Sequence, residues 1–244
     1  NGNLTSIYIG SKVTSIGTSA FQSCTSLSSI IMPDTGTSIG NYAFNGCTSL
    51  GSIIISNRVV SLGGYVFKSC TSLTSITIPD GVTSIGYQAF ESCTSLTSIT
   101  IPSSVNSITE LAFNGCTSLT SITIPDSVTS IANGVLRGCT SLTSITVPNS
   151  VTSIGNNTFN GCSGLSSITI PKGVTSIGSY AFANCSALST IISLAVDAPT
   201  VITNSFNNVA AAAITVPAGA TASYVAAGAD GKYGGLIIAE LAEI

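Results

Sequence analysis

The sequence predicts a β-rich α/β repeat, a single continuous solenoid of parallel strands. Three observations carry this. The eight cysteines, from Cys24 to Cys185, are spaced 23 residues apart throughout. Leu4, Leu27, Leu50 and their successors to Leu188, and Ile7, Ile30, Ile53 and theirs to Ile191, keep the same period. A unit of this size cannot bury its own apolar face, so its neighbours must cover it, which is the logic of stacked repeats.

One unit, Leu73 to Ser95, serves for all. Ser75-Ile76-Thr77-Ile78 alternates polar and apolar residues, the pattern of a half-buried strand. Pro79 has no N–H for a ladder and ends it. Val82 and Ile85, three apart, mark a short second extended or bent segment. Gly86 to Ser92 is expected to form about two helical turns that carry Ala89 and Phe90 inward. Gly46, Gly115, Gly138, Gly161 or Asn184 stand at the end of this stretch, residues that tolerate a left-handed cap. Strands about 4.8 Å apart would stack identical residues into Ile, Phe and Cys ladders on a rod on the order of 50 Å long.

Residues 1–193 read as regular repeats and 194–244 as degenerate repeats with a C-terminal seal. Counting the Ile period onward lands on Ile214 and Ile237. Beyond Leu188 the pattern loosens: Asp197 falls at the Val position, Thr200 at the Ile position and Asn208 at the Cys position, while Phe206 arrives one residue late. The Ala-rich 209–227 and the strand-like Leu236 to Leu241 suit the sealing of an apolar seam. Within the regular part, Gly36 in place of Val is expected to leave a small gap, Leu136 replaces a Phe, and Ser56 replaces a Pro. Asn1 falls in mid-pattern, so the sequence reads as a piece of a longer protein.

The pattern Leu-x-x-Ile-x-Ile-Pro-x-x-Val-x-x-Ile-Gly-x-x-Ala-Phe-x-Gly-Cys, over about residues 3–193, resembles the leucine-rich repeat in its BspA-like subclass. Ile214-Thr-Val216-Pro217, followed by Ala222-Ser-Tyr224, is similar to the usual end of such proteins. The resemblance implies a right-handed curved solenoid with parallel strands on the concave face and short helical turns opposite. It also implies an extracellular or cell-surface location and adhesion to host or neighbouring-cell macromolecules. It brings no catalytic motif.

Composition narrows the function independently. Charged residues make up 6% of the 244, against 44% hydrophobic, and the net charge is −3. Six Lys and Arg residues supply no basic stripe for a nucleic acid. There is no His, so the commonest general base and metal ligand is missing. No apolar run reaches the length of a membrane span. We therefore expect no enzyme, no cofactor, no metal and no nucleic-acid partner. The expected partner is a protein or glycan. The alternative is a structural component of a cell-surface or particle assembly, consistent with low charge and even repeats.

The expected binding residues stand on the strand face. Ser75 and Thr77, Ser98 and Thr100, Ser121 and Thr123, and Ser144 and Thr146 form a hydroxyl array, and in the first units the second column becomes Tyr8, Ile31 and Ile54. Tyr is a favoured interface anchor. A solvated sheet surface is the plain alternative, and ice binding by the Ser/Thr grid a remote one. Stacked cysteines have parallel side chains, whereas a disulfide needs converging ones and a zinc site needs ligands around one point. Buried free thiols are expected. Lys68, Glu91 and Arg137 share a column; Asp34, Asp80, Asp126 and Lys172 occupy a turn. Sequons begin at Asn3, Asn156 and Asn184. The stretch Gly228 to Tyr233 fails the phosphate-loop pattern at Tyr233 and Ala226.

Overall fold

The computed structural model describes residues 3–202, 204–211, 213–228 and 232–241. The chain folds as the expected solenoid, and each regular repeat contributes to two parallel ladders. The first ladder contains Ser29–Ile31, Ser52–Ile54, Ser98–Thr100, Ser121–Thr123, Ser167–Ile170, Thr190–Ser193, Ala213–Val216 and Leu236–Glu240. Like residues pair across it, Ser29 with Ser52 and Ile31 with Ile54, Ser98 with Ser121 and Thr100 with Thr123. Single bridges between Thr77 and Thr100 and between Thr123 and Thr146 carry it through the intervening repeats. The second ladder is made of two-residue strands, from Ser15–Ile16 and Ser38–Ile39 to Ser176–Ile177 and Thr200–Val201. These are the segments read as extended or bent around Val82 and Ile85.

The third side of each repeat is a turn and not the expected helix. Two residues in it have left-handed backbone, as Gln88 and Ser92 do at φ 53° and 59°. Left-handed residues four apart break the run of i to i−4 bonds that a helix requires. The N–H groups instead point to the next repeat: Gln88, Phe90 and Ser92 donate to the carbonyls of Glu110, Ala112 and Asn114 at 3.1, 2.8 and 2.8 Å. Among the described residues, the helix is Thr221–Ala227.

Three ladders enclose one seam. Leu73, Val82, Ile85, Ala89, Phe90 and Cys93 are fully buried, and the Phe rings stack, with Phe67, Phe90 and Phe113 centred 5.3 Å apart. No gap lies at Gly36: a Cβ there would come within 2.3 Å of Met32 Cε. Met32 is itself buried, so the long side chain of one position fills the space left by the small residue of another. Ser56 is buried as well, donating to the Asp34 carbonyl and accepting from the Arg58 N–H.

Toward the C-terminus the register shifts, which corrects four expectations. Val201, not Thr200, pairs with Ile177. Ala198 packs on the core while Asp197 is exposed. Asn208 stands above Asn184, whose side-chain carbonyl accepts its Nδ2, and Val209 takes the place expected for it. Ile238, not Ile237, pairs with Ile214. One extra residue between Ser193 and Ala198 moves the following turn by one, which is why Phe206 comes late yet stacks on Phe182 at 5.3 Å. The helix and the antiparallel pair Lys232–Tyr233 and Leu236–Glu240 lie beyond. Tyr224 donates its hydroxyl to Ser193 Oγ at 2.6 Å and Tyr233 donates to the Pro199 carbonyl at 2.6 Å, both rings buried. Ala212 and residues 229–231 lie outside the described residues.

Candidate binding surface

The outward face of the first ladder is set by strand alternation: in Ser52–Ile54, the middle residue is buried and its neighbours are exposed. Tyr8, Ile31 and Ile54 therefore point away from the core at 88%, 62% and 59% exposure. A groove of about 470 Å³ lies beside Tyr8 and Ile31, lined also by Ser6, Ile9, Ser29 and Pro33. Ser75, Thr77, Ser98, Thr100, Ser121, Thr123, Ser144 and Thr146 are all exposed on the same face. The ladder brings all these predicted residues into two adjacent columns. The sequence reading missed the other end of the column, where Ile192 stands beside Thr169 and is followed by exposed Leu194 and Val196. The signal was the return of Ile at the Thr position.

Outside this face, polar groups are mostly taken up between repeats. Thr97 Oγ1 donates to the Thr74 carbonyl at 3.3 Å and Thr120 Oγ1 to that of Thr97 at 3.2 Å. Lys68 pairs with Glu91 at 2.7 Å and donates to Gln88 at 3.1 Å, Asn114 Nδ2 donates to Glu91 at 2.8 Å, and Lys68 sits over the Tyr65 ring. Tyr65 stacks on Tyr42 at 4.3 Å. Asp34, Asp80, Asp126 and Lys172 are exposed on their turns. The sequon hydroxyl of Thr158 is buried and donates to Gly155 at 2.8 Å, and the amide of Asn184 bonds to Asn160 at 3.0 Å.

All eight cysteines are free and buried in one column. Each thiol from Cys47 to Cys185 donates to a Phe or Leu carbonyl in the preceding repeat, as Cys47 does to Phe21 at 3.0 Å and Cys185 to Phe159 at 3.1 Å. Burial pushes the Cys47 thiol up to about 11 and the Cys185 thiol to about 12. A thiol held protonated is a poor nucleophile and a poor metal ligand. Among the described residues no three His, Cys, Asp or Glu side chains converge as a metal site, and no helix is long and apolar enough to cross a membrane.

Three solved structures share this architecture. A leucine rich repeat protein of T. pallidum is 30% identical, with a TM-score of 0.62 over 66% of this chain and 78% of that one. One from Bacteroides ovatus is 23% identical, with a TM-score of 0.58 over 98% and 92%. One from Eubacterium ventriosum is 25% identical, with a TM-score of 0.54 over 97% and 72%. No protein of curated function matches the chain at a significant level. Residues 1–120 and 106–224 match the BspA type leucine rich repeat region. With repeats of that pattern along most of its length, the chain belongs to the BspA-type leucine-rich repeat family.

Proposed function

We propose that the protein is a non-catalytic recognition module of the cell surface or extracellular space, binding a protein or glycan on its strand face through Tyr8, Ile31 and Ile54. The exposure of these three large side chains in one column, on a face otherwise made of small hydroxyls, carries this reading. Binding energy concentrates in a few aromatic and apolar anchors, and truncating one costs upwards of about 2 kcal/mol. Ser and Thr hydroxyls exchange water for ligand at little gain. Residues 194–244 serve as the seal of the apolar seam.

The test is a titration of immobilised extracellular-matrix proteins and mucin glycans with two double variants. Tyr8→Ala with Ile54→Ser is expected to weaken binding by about thirtyfold or more. Thr100→Ala with Thr146→Ala is expected to change it by less than about twofold, since water replaces those contacts. Both pairs lie outside the core, so the melting temperature should stay within a few degrees of the parent's. Equal losses, or a footprint around Tyr42, Tyr65 and Tyr180, would overturn the choice of face.

A further inference from the structure

Tyr42 and Tyr65 hold the same turn position in successive repeats, both on left-handed backbone at φ 58° and 60°. Their amides donate to the carbonyls of Gly64 and Tyr87 in the repeats that follow, at 3.0 and 2.7 Å. The same backbone on neighbouring rungs aims both phenols the same way. The rings lie face to face, 4.3 Å between centroids and 9° between planes. The stacked Phe pairs of the core are centred 5.1–5.5 Å apart, so this is the closest ring pair among the described residues. Tyr87, in the next repeat, meets Tyr65 edge-on at 5.2 Å. Tyr42 and Tyr65 are both half-buried on the turn flank, within reach of solvent.

The rest of the chain offers little to an oxidant. It has no Trp and no His. Its one Met, Met32, and all eight thiols are buried, and oxidation of sulfur follows exposure and thiolate character. Of the seven tyrosines, Tyr224 and Tyr233 are fully buried with their hydroxyls bonded. Tyr8 stands on the strand face, and Tyr180 holds the turn position five repeats beyond Tyr65, so neither has a second phenol beside it. A one-electron oxidant therefore finds phenols first, and of the accessible ones Tyr42, Tyr65 and Tyr87 touch one another.

We propose that Tyr42 and Tyr65 form a cross-linking site, joined ring to ring through a carbon–carbon bond by a haem peroxidase using hydrogen peroxide. Each phenol gives up the proton and one electron of its O–H. The two phenoxyl radicals join at ring carbons ortho to the oxygens. The proton on each of those carbons then moves to its own phenoxyl oxygen, which restores both aromatic rings. Two hydrogen atoms leave the protein, and one hydrogen peroxide is reduced to two waters. Stacking supplies the proximity: a radical on one ring has its partner in contact, whereas two dilute molecules must first collide. Forming the bond swings the rings from face to face toward edge to edge, which the half-buried flank permits. The product ties two consecutive repeats covalently, in a fold whose repeats otherwise hold through packing and hydrogen bonds to their neighbours. No strand-face residue takes part, so this proposal and the binding reading are tested separately.

In the test, the full chain at micromolar concentration is treated with a haem peroxidase and hydrogen peroxide, and the monomer is isolated. It should show the blue fluorescence of dityrosine and a mass lower by two hydrogen atoms. Trypsin cuts after Lys12, Arg58, Lys68 and Arg137, which puts Tyr42, Tyr65 and Tyr87 on three separate peptides, 13–58, 59–68 and 69–137. The product should join 13–58 to 59–68. Tyr42→Phe and Tyr65→Phe each keep a ring in the stack, and each should lower the monomer cross-link at least about tenfold, the advantage of a partner held in contact over one met in solution. Tyr87→Phe and Tyr180→Phe should leave its yield unchanged. Absence of dityrosine from the monomer, a join of 59–68 to 69–137 instead, or a yield insensitive to Tyr42→Phe would overturn the proposal. So would dityrosine confined to covalent dimers, which would make the isolated Tyr8 or Tyr180 the reactive phenol.

Discussion

Met32 and Gly36 exchange volume within one repeat. The other regular repeats place Ile or Val at the first of these positions, and most place Val at the second. Gly36→Val alone drives a branched side chain into the Met32 thioether and should destabilise by about 1–3 kcal/mol. Met32→Ile alone withdraws the filling group and leaves a cavity. Together the two changes restore the consensus, so a double-mutant cycle by urea unfolding should show a favourable coupling of about 1–3 kcal/mol. Simple additivity would mean that the contact is not the reason for either residue. Phe90→Ala is the opposite case, since its stacked neighbours, Phe67 and Phe113, are held by their own repeats and cannot close in. It should cost about 3–5 kcal/mol, read from the same unfolding curves. The thiol column adds a pH dependence. Burial raises the Cys47 thiol from 9.0 to about 11, with the Cys24 backbone hydrogen bond opposing and the Cys24 thiol adding to the rise. In the unfolded chain the thiols lose their protons first as pH rises. The unfolded state then binds fewer protons than the folded one, and stability falls. The melting temperature should be flat up to a pH of about 8, then drop through the window from 9.0 to about 11. Cys47→Ala and Cys70→Ala should make that drop shallower. An unchanged alkaline slope would show that the thiols are not what titrates.

At the level of the element, the turn is where sequence and structure part. Two left-handed residues are needed per repeat. The second holds Gly46, Gly115, Gly138, Gly161 or Asn184, and its meaning as a stop is legible. The first holds Ser19, Tyr42, Tyr65, Gln88, Leu111, Gly134, Asn157 or Tyr180, and although Gly134 and Asn157 suit this backbone, the Tyr and Leu residues disfavour it and give no sign of it. Where only the second is visible, the stretch reads as a capped helix. The strands were legible because a period of two and a Pro stop are local signals. The pairing of Ile238 with Ile214 was not, because a further residue inserted between these two shifts register without disturbing composition. The strand-face columns follow from alternation alone. Gly115 isolates the turn's conformational cost: a Cβ there would meet Ser92 Oγ at an ordinary 3.6 Å, so space is not limiting at φ +72°. Gly115→Ala should therefore lose only the left-handed backbone preference, about 1–2 kcal/mol. A loss of more than about 3 kcal/mol would point to a packing role instead.

Across the whole molecule, each repeat touches only its neighbours, so stability is a chain of interface contributions and a local defect should stay local. The C-terminal end is the place to see this. Tyr224 reaches back from the helix Thr221–Ala227 to donate to Ser193 Oγ at 2.6 Å and also meets the Ala195 carbonyl at 3.0 Å. Ser193 is fully buried on the last residue of Thr190–Ser193. Tyr224→Phe keeps the ring and its edge contact with Tyr233 but removes the phenol's bonds to the Ser193 hydroxyl and the Ala195 carbonyl, leaving Ser193 Oγ with the Ala195 N–H at 3.4 Å, a change of about 1–3 kcal/mol. In a globular core that loss would spread to the whole cooperative unit. In a solenoid it should appear as faster hydrogen exchange in Thr190–Ser193 and Ala213–Val216, with Ser52–Ile54 and Ser98–Thr100 unchanged. Exchange rising equally along the rod would show that the repeats unfold as one body and that the two ends are coupled. A change at Tyr224 would then be felt at Tyr8, eight repeat steps of roughly 4.8 Å from Ile192. Confined exchange means instead that the strand-face groove at Tyr8 is insulated from changes at the C-terminal end, so that a partner held at Tyr8 leaves the far repeats undisturbed.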